Sequence, residues 1–197
     1  DLATNPGGSS AGAGAAAAAG YGPIHIGTDI GGSIRLPAGW CGVVGLKASL
    51  GRIPIDPAYV GRVAGPMTRT VADTALAMTV LSKPDWRDGM SLPPADIDWM
   101  DQDNQAIKGL RIVLMLDIGA GMTPNPAVIA AVKEAARRFE AAGAVVEEVP
   151  AVLTREMLDG LDDFWRVRSW DDVERLPETT RARILPYIRA WAESGQT

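Results

Sequence analysis

The positions of hydrophobic and polar residues along the chain predict a mixture of helices and strands. Ile24, Ile26 and Thr28 alternate with residues of other types, which is the period of two that a β-strand shows. Residues 11–19 are all alanine apart from two glycines, and such methyl side chains favour a helix that its neighbours approach closely. This stretch therefore predicts a buried helix. A capping box predicts another helix over 70–81.

The second half of the chain has the pattern of a β-α-β unit. Residues 110–116 predict an apolar strand, and 144–149 predict a second one. Between them Asn125 is a good N-cap and Pro126 suits the first helical position, so a helix is predicted to run to about Ala142. Because a crossover helix connects two buried strands, we expect them to lie parallel in one sheet.

The rest of the chain divides into shorter elements and connections. These are a turn or short helix at 37–41, a buried strand at 43–46, a loop rich in glycine and proline at 51–65, and a long surface connection at 84–105. The predicted organisation is one domain with a core over 1–81, a connecting loop over 82–107, the β-α-β unit over 108–150 and helices over 151–197. The fold class that follows is α/β.

Composition narrows the classes of function. The chain has 197 residues, 47% apolar content and a net charge of −5, which suits a globular protein and argues against direct binding to nucleic acid or an anionic membrane. Its longest stretch of small residues, 11–20, is half of the roughly 20 residues that span a bilayer. A single cysteine, Cys41, excludes an internal disulfide and favours a cytoplasmic location.

The small number of histidines and cysteines limits the catalytic mechanisms that the chain could use. One histidine and one cysteine argue against a metal centre. A Ser-His-Asp triad would have to use His25, which we interpret as a strand residue facing a polar neighbour. Residues 12–17 match a dinucleotide-binding fingerprint, but no strand precedes them, so we expect no cofactor.

The stretch 27–35 carries the best candidate for catalysis. Gly31 and Gly32 precede Ser33, and glycines allow successive backbone N–H groups to converge in a nest that binds an oxyanion. We therefore predict that Ser33 is a nucleophile beside its own oxyanion hole. Asp29 and Arg35 flank it and are predicted to hold the loop through hydrogen bonds or an ion pair. Contact of Arg35 with an acidic substrate is the alternative.

Two segments together resemble a known family. Residues 7–10, Gly-Gly-Ser-Ser, are followed by the small-residue helix and then by 27–35, Gly-Thr-Asp-Ile-Gly-Gly-Ser-Ile-Arg, and this order resembles the amidase signature family. Pro37, Cys41-Gly42, Gly45-Leu46-Lys47 and Gly65-Pro66-Met67 continue the resemblance. It implies part of one large mixed β-sheet flanked by helices, truncated at both ends. We therefore expect apolar surface exposed at sheet edges.

The resemblance also implies a role for each site residue. Ser33 matches the nucleophile that becomes acylated, and Ser9 matches a bridging serine held by a cis peptide bond from Gly8. The backbone amides of Ile30, Gly31, Gly32 and Ser33 match the oxyanion hole. The residues expected to support the site are Ser10, Thr28, Asp29 and Arg35. For Ser10, bonding a lysine and capping the helix remain equal alternatives.

The third member of the implied Ser-Ser-Lys triad is a lysine that this sequence does not supply. Lys47 is the lysine nearest to Ser33, but it matches a different family position and is interpreted as structural. The predicted function is hydrolysis of a carboxylic amide to an acid and ammonia or an amine through a serine acyl-enzyme. The alternatives are the glutamine-hydrolysing subunit of an amidotransferase and a non-catalytic remnant of the family. The expected partner is a small amide substrate, and a homo-oligomer stays open.

Overall fold

The computed structural model of the chain describes residues 3–101, 107–119, 121 and 123–196. The chain divides into two units, Asp1–Gln105 and Ala106–Thr197. Both units contain helices and strands, which confirms the α/β class predicted from the sequence.

The first unit is built on a three-stranded antiparallel sheet. Its elements are α1 (Ala11–Ala19), β1 (Ile24–Asp29), α2 (Arg35–Cys41), β2 (Val44–Gly45), β3 (Val63–Thr68) and α3 (Val71–Leu81). The strand order is β1-β3-β2, so β3 is central although it comes last in sequence. All six residues of β3 are buried.

The central strand corrects the sequence prediction, which assigned 51–65 to a loop. Pro66 disfavours a central strand because it has no N–H for a ladder. Here the Pro66 carbonyl still accepts the N–H of Leu46 at 3.1 Å. The Leu46 carbonyl lies only 1.8 Å from where a Cβ on Gly65 would be. The strand is therefore possible because glycine precedes the proline and lets the neighbouring backbone approach.

The sheet separates two packed layers in this unit. Met67 of β3 packs with Ile34 and Ala38 on the face that α1 and α2 cover. Ala64 packs with Met78 of α3 on the opposite face. Since side chains three positions apart on a strand point to opposite faces, β3 contributes to both cores.

The helices of this unit lie where the sequence predicted them, but α1 is less buried than predicted. The Thr70 hydroxyl accepts the N–H of Asp73 at 3.0 Å and so caps α3 as predicted. The helix predicted at 11–19 is α1, but only Gly14 and Ala17 in it are buried, so its predicted burial is wrong for this chain. The strand predicted at 43–46 is shorter and half-buried.

The edge strand β1 exposes apolar side chains. Ile26 is 48% exposed and Ile24 is 36% exposed. Both lie on the face of the sheet that α3 shares, but α3 packs mainly against β3 and leaves this edge uncovered. The exposed apolar edge expected from the sequence is therefore present.

The second unit contains the predicted β-α-β arrangement followed by helices. Its elements are β4 (Arg111–Leu114), α4 (Pro126–Ala141), β5 (Val145–Glu148), α5 (Arg155–Glu174), α6 (Glu178–Arg181) and α7 (Pro186–Glu193). β4 and β5 pair in parallel, and the Asn125 side chain accepts the N–H of Ala127 at 2.9 Å, both as predicted. The strands are shorter than predicted and mostly exposed, because one helix covers a two-stranded sheet on one face only.

The described residues contain neither a membrane-spanning helix nor a cluster of metal-binding side chains. Among them no helix is both long enough and apolar enough to cross a membrane. Within the same residues, no group of three or more histidine, cysteine or acidic side chains is arranged to hold a metal ion.

Candidate active site

Ser33 lies in the tight turn between the end of β1 and the start of α2. It is half-buried, and the next residue, Ile34, is fully buried and is the N-cap of α2. The turn therefore presents Ser33 at the margin of the core formed by α1, α2 and β3.

The carboxylate of Asp29 holds this turn together. Asp29 is 1% exposed, and it accepts the N–H groups of Gly32 at 2.8 Å and Ile34 at 3.1 Å. The Arg35 guanidinium donates to it at 3.0 and 2.8 Å, which confirms the predicted ion pair. Burial by itself raises the pKa of Asp29, but the bonds from Arg35 and the backbone outweigh it and hold that pKa well below its usual range. The pairing also raises the pKa of Arg35.

This network changes the set of amides that can bind an oxyanion. The Gly32 N–H is committed to Asp29, although the sequence placed it in the oxyanion hole with its neighbours. Among the hydrogen bonds of the described residues, the N–H groups of Ile30, Gly31 and Ser33 have no acceptor. These three amides are the remaining candidates for an oxyanion.

The loop that carries Ser9 is joined to the Ser33 turn through Ser10. The Gly8–Ser9 peptide bond is cis, as the family resemblance implies, and Ser9 is exposed. The Ser10 N–H donates to the Ser33 carbonyl at 3.2 Å. The two serine-containing segments, 7–10 and 30–34, are therefore adjacent in the fold.

The side chain of Ser10 bonds to the backbone of β1 and not to the helix that follows it. It makes no capping hydrogen bond to α1, so that alternative is wrong. Its hydroxyl accepts the Thr28 N–H at 3.1 Å and donates to the Thr28 carbonyl at 3.2 Å. Thr28 thus contacts the Ser10 side chain through its backbone. Ser10 attaches the Ser9 loop to β1.

Gly27 is a site residue that the sequence analysis did not single out. A Cβ at this position would lie 2.9 Å from the Ser10 hydroxyl and 3.0 Å from Ile34. The absence of a side chain makes room for the bond between Ser10 and β1. A glycine inside an alternating strand is the signal that indicated close approach here.

The remaining candidates lie apart from this network. Lys47 donates to the Ala48 carbonyl at 3.3 Å, and among the described residues no hydrogen bond joins a lysine to Ser9 or Ser33. The Nε2 atom of His25 is buried without a hydrogen-bond partner in the part of the chain that the structure describes, so the polar neighbour expected for it is absent there.

A comparison with family models identifies the family. The model described as Amidase matches residues 1–168 of the chain. The chain belongs to the amidase family. The α/β fold and the order of the two glycine-serine segments agree with this membership.

Relatives of this amidase-family chain include enzymes of more than one kind. A glutamyl-tRNA(Gln) amidotransferase subunit from Staphylococcus saprophyticus is 44% identical over 173 residues, which cover 83% of this chain and 34% of that protein. A bacterial aryl acylamidase of the amidase signature enzymes superposes with a TM-score of 0.83 at 31% identity, over 98% of this chain and 42% of that one. The corresponding glutamyl-tRNA(Gln) amidotransferase subunit from Thermotoga maritima superposes with a TM-score of 0.67 at 27% identity, over 96% of this chain and 44% of that one. The chain thus spans about a third of the length of the curated relatives it matches.

Proposed function

We propose that this chain supplies the nucleophile and the oxyanion-binding amides of an enzyme that hydrolyses carboxylic amides. The observation that carries the proposal is the junction between the two serine-containing segments. Ser10 bonds both the Ser33 carbonyl and the backbone of Thr28, so Ser9 and Ser33 belong to one connected piece of backbone.

In the proposed reaction Ser33 is the nucleophile and Ser9 is the group that takes its proton. The Ser33 oxygen forms a bond to the amide carbon, and the carbonyl oxygen becomes an oxyanion that the N–H groups of Ile30, Gly31 and Ser33 stabilise. The C–N bond then breaks, and the leaving amine takes the proton through Ser9. Water hydrolyses the resulting ester, which releases the acid and restores Ser33.

Asp29 supports this reaction without touching the substrate. Its carboxylate accepts the Gly32 N–H and pairs with Arg35, which leaves the turn in one backbone arrangement. Because preorganised donors need no rearrangement during the reaction, a rigid turn strengthens oxyanion binding. Arg35 is 54% exposed on its side chain, so it remains accessible to an acidic group of a substrate.

In the mechanism implied by the family, a neutral lysine is the base that accepts the proton from Ser9. Lys47 is an unsuitable candidate because its ammonium bonds the Ala48 carbonyl and because it follows the end of β2, which lies across β3 from β1. We therefore propose that this lysine is not among those of the sequence. The activity of the 197 residues alone is then expected to be very low.

The glutamine-hydrolysing subunit of an amidotransferase is the second candidate function. It is favoured by the 44% identity to the staphylococcal glutamyl-tRNA(Gln) amidotransferase subunit. In that case the amide hydrolysed is glutamine, and the reaction depends on partner subunits. Simple amides would be the preferred substrates of a free-standing amidase.

The proposal is tested by labelling with a fluorophosphonate, which reacts with an activated serine. Intact-mass spectrometry of the purified protein measures both the adduct and the length of the chain that carries it. In a protein that includes the lysine, Ser33→Ala is expected to abolish the adduct, while Ser49→Ala, an exposed serine outside the site, is expected to leave it unchanged.

The outcomes separate the three functions. Adduct formation on Ser33 together with hydrolysis of simple amides supports the amidase. Adduct formation with ammonia release only from glutamine, and only with partner subunits, supports the amidotransferase. A chain longer than 197 residues that contains an additional lysine but forms no adduct contradicts both and indicates a non-catalytic relative.

A further inference from the structure

A cavity of about 300 Å³ lies in the first unit, next to the end of β2. Its lining includes Lys47, Ala48, Ser49, Arg52, Met78 and Trp99. Met78 and Ala48 belong to the core on the α3 face of the sheet. The Ser10 and Ile34 contacts lie with Met67 on the other face. The cavity is therefore distinct from the candidate active site.

The lining combines cations with apolar walls. Arg52 is half-buried, and its guanidinium makes no hydrogen bond or ion pair among the residues that the structure describes. Within the described part of the chain, Lys47 donates only to the Ala48 carbonyl. The chain has 24 acidic and 19 basic residues, so acidic residues are in excess. A surplus of basic residues therefore does not explain why two cations in one cavity have no acidic partner. A half-buried charge such as that of Arg52 is normally paired, and the cavity has space for an anion beside it.

The backbone that carries Arg52 is held on both sides. Ala48 and Ile53 are 5% and 6% exposed, and the Arg52 N–H donates to the Ser49 carbonyl at 3.0 Å. Gly51 has φ +76°, and a Cβ there would lie 2.1 Å from the Met90 carbonyl. The position of the guanidinium therefore depends on a packed turn, not on a free loop.

The apolar wall is also fixed. The Trp99 indole N–H donates to the Ser82 hydroxyl at 3.0 Å, and that hydroxyl donates to the Met78 carbonyl at 2.7 Å. Met78 is 1% exposed and closes the floor. Asp98 lies next to Trp99, but its carboxylate accepts the N–H groups of Met100 and Asp101 and pairs with neither cation of the cavity.

We propose that this cavity binds a small organic anion, a carboxylate joined to a short apolar body. The carboxylate would lie between Lys47 and Arg52 with the Ser49 hydroxyl as a further donor, since guanidinium and hydroxyl groups suit its oxygens. The apolar body would lie against Trp99 and Met78. A few convergent polar groups on a mainly apolar wall are typical of small-molecule sites.

The test uses phenylacetate as the probe and the Trp99 indole N–H as the reporter, read by nuclear magnetic resonance of the purified protein. Trp99→Phe identifies the resonance by removing it. 2-Phenylethanol has the same ring without the charge, and inorganic phosphate has charge without the apolar body. Phenylacetate is expected to shift the Trp99 resonance saturably, and both comparison compounds are expected to bind at least tenfold more weakly.

Variants identify the groups that bind. Arg52→Gln and Lys47→Gln are each expected to weaken phenylacetate binding about tenfold, as loss of a hydrogen bond to a charged group predicts. Lys83→Gln removes an exposed cation outside the cavity and is the matched control. Arg52→Lys keeps the charge and is expected to retain most of the affinity, which excludes an effect of misfolding.

Several results would overturn the proposal. They are no saturable shift of the Trp99 resonance, equal binding of 2-phenylethanol or phosphate, and unchanged affinity in both glutamine variants. Ser33→Ala is expected to leave phenylacetate binding intact. The anion site and the proposed amide hydrolysis can therefore fail independently.

Discussion

Replacing Asp29 with asparagine tests how the turn before α2 is held. Asp29 accepts backbone N–H groups at 2.8 and 3.1 Å and two guanidinium N–H groups at 3.0 and 2.8 Å. Asparagine keeps one oxygen, but its NH₂ group would face donors instead of acceptors. Asp29→Asn therefore removes the ion pair and leaves at least one N–H group of the turn without an acceptor.

The size of the effect follows from burial. Removing one partner of a buried ion pair costs about 3–5 kcal/mol when the other charge is left without water. The Arg35 side chain is 54% exposed while that of Asp29 is fully buried, so water solvates the guanidinium after the substitution. We therefore expect a smaller loss, about 2–3 kcal/mol in the free energy of unfolding, much of it from the hydrogen bonds to the charged carboxylate.

The loss should depend on pH in a defined direction. The pKa of Asp29 is lowered in the folded protein, so its contribution to stability is fully present above the unfolded value of about 3.9. As the pH falls below about 4, the unfolded wild-type chain binds a proton that the folded chain resists, and the contribution declines. The difference between wild type and Asp29→Asn is therefore expected to be constant from about pH 5 to 7 and to shrink below about pH 4.

The assay is urea denaturation across this pH range, combined with hydrogen exchange at the amides of Gly32 and Ile34. Asp85→Asn is the matched control, because Asp85 also pairs with an arginine, Arg87 at 2.6 Å, and has its pKa lowered to about 2, yet its side chain is 32% exposed. Its substitution should change stability much less. Equal losses in the two variants, or unchanged exchange at Gly32, would refute the importance of the buried network.

Two further predictions concern packing in the first unit. Gly65→Ala places a methyl group 1.8 Å from the Leu46 carbonyl and should lower the free energy of unfolding by at least about 3 kcal/mol in thermal denaturation. Gly12→Ala on α1 places a methyl group with nothing within 4 Å of it and should raise the free energy of unfolding by up to about 1 kcal/mol. If both substitutions are tolerated equally, the close approach at Gly65 does not exist. Thr74→Val removes the 2.7 Å hydrogen bond to the buried Thr68 hydroxyl and should lower the free energy of unfolding by about 1 kcal/mol in the same measurement. A Thr74→Val variant that is more stable than wild type would show that this hydrogen bond contributes nothing.

Elements whose signals lie within a few residues could be predicted from the sequence. Asn125 bonds the N–H two residues ahead, and Thr70 bonds the N–H three residues ahead, so the start of each helix is encoded in a single turn. The pair between Asp29 and Arg35 was predictable for the same reason, since the two residues are six positions apart across one tight turn.

The candidate site was predictable only in part. The motif around Ser33 and the resemblance of 7–10 to a family segment pointed to two stretches of chain that the fold brings together, and the Gly8–Ser9 cis bond followed from that resemblance. Sequence spacing did not reveal that Asp29 occupies the Gly32 amide. Only the folded turn shows that the Asp29 carboxylate and an oxyanion would compete for the hydrogen of the Gly32 amide.

The features that can be read from the amino-acid sequence alone are therefore local: helix starts, the β-α-β order and the chemistry of the glycine-rich turn. The tertiary structure decided that β3 is the central strand despite Pro66, and that Ser10 connects two segments 18 residues apart through Thr28. It also decided that Lys47 and Arg52 face one cavity. The physical reason is that these arrangements depend on strand register and on space left by Gly27 and other glycines, which are set by contacts between residues distant along the chain.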